Sequence, residues 1–75
     1  MNQREFESKI KLRLNPTLGY TTDEIAHIFQ LPREEVISKC WLAKDHNLLR
    51  PKVIVVKGHG LTHWKYTPPR SRQFG

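Results

Sequence analysis

Apolar residues along this chain recur first with a helical period and later with a strand period. Phe6, Ile10 and Leu14 stand four apart among Glu, Lys, Arg and Gln, which predicts an amphipathic helix from about Asn2 to Leu14, ended by Asn15-Pro16. Pro16 to Tyr20 reads as a loop, with a short extended piece at Tyr20-Thr21. Thr22 precedes Asp23-Glu24, so a hydroxyl is placed to cap a second helix and two acids sit at the positive end of its dipole. Ile25, Ile28 and Phe29 form the inward face of that helix. Gln30-Leu31 interrupts it, and Pro32 opens a third helix that buries Val36, Cys40 and Ala43 and stops near Asn47, a residue that tolerates left-handed backbone.

Beyond that point the pattern changes to extended chain. Leu48 and Leu49 return to the core, and Arg50-Pro51 lead into the β-branched run Val53-Ile54-Val55-Val56. A turn is expected over Lys57 to Gly60, with Gly58 and Gly60 permitting positive φ, followed by a return strand to about Tyr66. On that strand His63 and Lys65 share one face, while Trp64 and Tyr66 share the other and pack on the core. The expected class is α+β: three helices, then a two-stranded hairpin, with the short extended piece near Tyr20. Residues 1–67 form the single domain and residues 68–75 a flexible basic tail.

Length restricts what such a domain can do. With 75 residues, 37% of them hydrophobic, the chain builds one small core, and a cleft with its own walls is not expected. No apolar run approaches the roughly 20 residues of a membrane span, and the first residues lack a secretory apolar segment, so a cytoplasmic protein without membrane contact is expected, nucleoid-associated if bacterial. A single cysteine, Cys40, agrees with a reducing compartment.

Charge adds a direction. The formal net charge is +6, and acids and cations balance over residues 1–47. Arg50, Lys52, Lys57, Lys65, Arg70 and Arg72 follow with no acid among them. A one-sided cationic end of this kind points to a polyanionic partner, with nucleic acid first.

Thr22 to Leu49 resembles the helix-turn-helix of winged-helix proteins, whose pattern is a capped Glu-Ile/Leu-Ala helix, a Leu-Pro or Leu-Ser turn, and a longer helix ending in Gly-Leu-Leu/Val. The matching residues are Glu24-Ile25-Ala26, Leu31-Pro32, Val36, Cys40, Ala43 and Asn47-Leu48-Leu49. Lys52 to Tyr66 would then be the wing, and with the first helix the resemblance covers nearly the whole chain apart from its tail. Minimal members of this superfamily are of bacterial or phage type. The resemblance implies binding to double-stranded DNA, with the third helix in the major groove and the wing on phosphates or in the minor groove.

Under that expectation Arg33, Ser38 and Lys44 place the third helix, and Lys57, His59, His63 and Lys65 hold the backbone, with Arg70 and Arg72 following it or entering a minor groove. The protein would act as a transcriptional regulator or accessory DNA-binding factor, in two or more copies, because one module buries little surface. The third helix departs from the pattern. Glu34 and Asp45 would repel phosphates, and Ile37 with Trp41 makes an apolar ridge where base readers carry polar groups. That ridge has three readings: ordinary packing, contact with a protein or a second copy, or contact with bases. The rival function is therefore a winged-helix adaptor that docks a partner through Ile37 and Trp41 with little or no DNA binding, and structured RNA ranks third as a ligand.

Metal, cofactor and small-molecule sites are not expected. His27, His46, His59, His63 and Cys40 do not form a zinc spacing. No phosphate loop, nucleophile elbow or carboxylate pair suggests an enzyme.

Overall fold

The computed structural model describes residues 1–68. The expected tail, including Arg70 and Arg72, lies outside the described residues except for Pro68. Six elements follow in the order α1 (Gln3–Arg13), β1 (Gly19–Thr21), α2 (Thr22–Phe29), α3 (Arg33–Asp45), β2 (Leu49–Val56) and β3 (His59–Tyr66). The three strands form one antiparallel sheet in the order β1-β3-β2, so the architecture is α+β and compatible with a winged helix. The sheet has three strands rather than two because Gly19–Thr21 pairs with Lys65, Trp64 and His63 at the base of the hairpin.

Local chemistry sets the helix ends. Asn2 caps α1 by accepting a hydrogen bond from the Glu5 amide at 2.8 Å. The cap of α2 is Thr21 and not Thr22. The Thr21 hydroxyl accepts from the Glu24 amide at 3.1 Å, and the Glu24 carboxylate accepts from the Thr21 amide at 2.8 Å, a reciprocal capping box. Thr21 takes the capping position because it still has extended backbone as the last residue of β1, while Thr22 is already helical. Pro32, expected as the first residue of α3, is likewise the extended residue just before it. Between α2 and α3, Gln30 turns left-handed at φ 56°, and the Leu31 amide donates to Ala26 O. After α3, Asn47 has φ 62° and the Leu48 amide reaches back to Ala43 O, as expected of an asparagine stop.

The core draws on every helix and on the base of the sheet. Phe6, Ile10 and Leu14 from α1 and the residue after it meet Ile25 and Phe29 of α2, and Val36, Cys40 and Ala43 of α3. Leu48, Leu49, Trp64 and Tyr66 close it from the sheet side. Ile28 is only partly buried, at the margin of this cluster. Phe6 and Phe29 meet edge to face with ring centres 4.8 Å apart. Trp64 is the largest fully buried side chain, and its indole N–H donates to the Thr22 hydroxyl at 3.1 Å. Thr22 therefore serves as the polar partner of a buried tryptophan.

The hairpin is longer and tighter than its sequence suggests. β2 begins at Leu49, four residues before the β-branched run, and includes Pro51, which is tolerated because β2 is an edge of the sheet. The turn is only Lys57-Gly58, with φ 52° and 79°, and Val56 pairs directly with His59. Positive φ at both turn residues gives a twist that matches the strands. Gly60 thus lies within β3 and has no left-handed role. A Cβ there would stand 3.2 Å from Cγ1 of Val53.

Candidate functional site

Register assigns each hairpin residue to one of two faces. The pairs Pro51↔Trp64, Val53↔Thr62 and Val55↔Gly60 lie on the face that carries Trp64, and so on the side of the helices. The pairs Arg50↔Lys65, Lys52↔His63, Ile54↔Leu61 and Val56↔His59 lie on the opposite, outer face. Both faces extend past the core, since the helices cover only the base of the hairpin. Val53, Val55 and Val56 are each about three-fifths exposed or more, and Ile54 and Leu61 are also exposed.

The outer face holds a compact cationic patch. Arg50 stands directly across from Lys65, and Lys52 directly across from His63. Of these, Arg50 and Lys65 are like charges opposite one another, which repel. None of Arg50, Lys52, Lys57 or Lys65 forms an ion pair among the described residues. His63 Nδ1 stands 3.3 Å from Leu61 O, and the Cβ of His63 lies beside Gly19 of β1. His59 opens β3 next to the turn, and Lys57 occupies its tip.

The α3 candidates are arranged differently. Arg33 is paired with Asp23 of α2 through Nε at 2.9 Å, an exposed contact at the mouth of a groove. Ser38 and Lys44 are exposed, and Lys44 borders a shallow depression with Asn47, Leu49, Arg50 and Pro51. Glu34, Ser38, Trp41 and Asp45 follow one another along one stripe of the helix at spacings of four, three and four, so both acids flank the tryptophan. Lys39 is turned to the other side, 3.6 Å from Glu35.

The expected phase of α3 is correct: Val36, Cys40 and Ala43 are fully buried, Ile37 is partly buried, and Trp41 is 47% exposed. One edge of Trp41 packs on Trp64, with ring centres 5.0 Å apart at 84°. The Ile37/Trp41 ridge is therefore one wall of a groove of about 210 Å³, whose other wall is the hairpin at Gly60, Leu61 and Thr62. Thus α3 and the helix-facing side of the hairpin present a concavity of mixed polarity, with Ile37 and Trp41 beside Thr21, Thr22, Thr62 and the Asp23–Arg33 pair, and the unpaired cations of β2 and β3 stand on the reverse of the sheet.

Arg50 and Lys52 belong to the cationic patch although sequence reasoning did not single them out as site residues. Their alternate spacing, 50 and 52, was the available signal. It acquires meaning only once the register sets them beside Lys65 and His63.

Burial pushes the Cys40 thiol from 9.0 up to about 12, so the thiolate is disfavoured and Cys40 is no nucleophile. At about pH 8 the native protein should react with an aromatic disulfide reagent only as fast as it unfolds, whereas the denatured chain should release one equivalent at once. The raised value also sets a pH dependence. The folded state holds the proton more tightly, so this contribution to stability is complete below pH 9.0 and is lost as pH rises towards about 12. Urea midpoints should fall more steeply over that range in the wild type than in Cys40→Ala.

No described helix is long and apolar enough to cross a membrane. Comparison with models of known protein families, with curated proteins and with solved structures finds no match for this chain.

Proposed function

We propose that this chain is a small winged-helix DNA-binding protein that holds duplex DNA chiefly through its hairpin wing, as a transcriptional regulator or accessory factor. The observation that carries this reading is the patch of Arg50, Lys52, His63 and Lys65, with Lys57 at the tip. Strands tolerate cross-strand repulsion at a cost to folding, and a polyanion laid on this face relieves it. Backbone phosphates fit the four unpaired cations of the hairpin, Arg50, Lys52 and Lys65 on its strands and Lys57 at its turn, a pattern that positions a protein on DNA without reading its sequence. The α3 route, with Arg33, Ser38 and Lys44 beside the major groove, draws less support. Arg33 is engaged by Asp23, and Glu34 and Asp45 share the exposed stripe.

A second reading, the protein adaptor, is favoured by one observation: Trp41 remains half exposed as the wall of a groove. Fluorescence anisotropy of a labelled random-sequence duplex separates the two. Four phosphate contacts should give log K against log salt a slope of roughly −3 to −4 between about 50 and 200 mM salt. That dependence should survive Ile37→Ala/Trp41→Ala if the hairpin carries the binding. Absence of binding at the lower salt would leave the adaptor as the better account.

A further inference from the structure

The groove between α3 and the hairpin is a different surface from the cationic patch, and DNA is a poor occupant for it. Its walls are Ile37 and Trp41 on one side and Gly60, Leu61 and Thr62 on the other, with Thr21, Thr22, Asp23 and Arg33 also lining it. Val53 and Val55 stand exposed on the same hairpin face as Thr62, and Glu34 and Asp45 on the exposed stripe of α3 repel phosphates. We propose that a second copy of this chain fills it: two copies associate about a two-fold axis, each laying the helix-facing side of its hairpin along the exposed stripe of the other's α3.

Three features make the surface self-complementary. Val53 and Val55, 62% and 66% exposed, project from the hairpin beyond the reach of their own core and match the apolar pair Ile37 and Trp41. Gly60 has no side chain on the same face, so Val53 lies close over it, where a Cβ would stand 3.2 Å from Cγ1. Charge supplies orientation. The hairpin end carries Lys57 with no acid near it in sequence, and the α3 stripe carries Glu34 and Asp45 on either side of Trp41. Each copy owns one cationic apolar arm and one acid-flanked apolar helix, so a two-fold arrangement satisfies both contacts twice. Trp41 is the natural anchor of each contact.

Pairing of two β2 edges is the obvious competitor. Stacking the run Val53 to Val56 antiparallel on itself sets Lys52 against Lys57 of the second copy, like charge on like. The reciprocal arrangement avoids that repulsion and leaves the outer sheet faces uncovered.

Sedimentation velocity of the full chain, without DNA, tests this independently of the proposed function. The wild type should pass from monomer to dimer with concentration between roughly 1 µM and 1 mM. Val53→Ser/Val55→Ser, at exposed positions that leave the core intact, should shift that transition at least about tenfold upward. Lys57→Glu should do the same, as should Glu34→Lys/Asp45→Lys, each with an unchanged circular dichroism spectrum. An equimolar mixture of the last two should dimerise like the wild type, because both contacts again join opposite charges. A monomer throughout the range overturns the proposal. So does a dimer indifferent to the α3 substitutions, which would place the contact at the β2 edges, or a mixture no better than its parts.

Discussion

Trp64→Ala should destabilise the domain by about 3 to 5 kcal/mol, enough to leave a large fraction of a chain this small unfolded. Trp64 is 1% exposed and joins the sheet to α2 and α3. Its backbone pairs with both Tyr20 of β1 and Pro51 of β2, its ring meets Trp41 of α3, and its N–H reaches Thr22 at the start of α2. Truncation therefore opens a cavity and strips the Thr22 hydroxyl of its donor at one stroke. Urea unfolding followed by circular dichroism reads the cost. Trp64→Phe, which keeps most of the packing and loses the hydrogen bond, should cost only about 1 to 2 kcal/mol. Equal losses in the two variants would mean that the indole N–H, and not the filled volume, dominates this joint.

The second large effect concerns the cations. With Arg50, Lys52, Lys57 and Lys65 all replaced by Ser, the salt slope of duplex binding should collapse from roughly −3 to −4 towards zero. Affinity at about 50 mM salt should fall by about 100-fold or more. The positions are exposed or nearly so, and removing Arg50 and Lys65 together takes away a facing like-charge pair, so the variant should be at least as stable as the wild type. Loss of binding with stability retained is the expected combination. Arg33→Ser/Lys44→Ser should change affinity much less, because Arg33 is held by Asp23 and Lys44 stands on α3, beside Arg50 but not on the sheet face that carries the other cations. A larger loss from the α3 pair than from the four hairpin cations would move the DNA to the helix and overturn the assignment of the patch.

These two experiments address different links between sequence and function. The first probes the joint that holds the hairpin against the helices, and the second probes what the hairpin carries on its free face. A Trp64 variant that lost DNA binding would be uninformative by itself, since the platform for Arg50 and Lys65 depends on that joint. The stability measurement on the four-fold variant removes that ambiguity.

Much of this molecule follows from local rules that act within a few residues. Spacing of four placed Phe6, Ile10 and Leu14 on one buried stripe, and spacing of four and three placed Val36, Cys40 and Ala43 on another. Asn47 stopped α3 because asparagine accepts the left-handed conformation, and Lys57-Gly58 turned the hairpin for a related reason. Even the alternation of Trp64 and Tyr66 against His63 and Lys65 was legible, since period two belongs to the strand itself. What remained out of reach was decided across the sheet and between layers. The four-residue run Val53 to Val56 has the composition of a buried strand, yet it is exposed because the helices end before the hairpin does. Thr22 has the chemistry of a cap and became the partner of Trp64, 42 residues away, once Thr21 held the capping position. Arg50 and Lys52 joined Lys65 and His63 only through the register, and Trp41 became a groove wall only because Trp64 arrived beside it. Periodicity assigns a residue to a face of its own element, but which neighbour covers that face, and how far the cover extends, is set by contacts between segments distant along the chain.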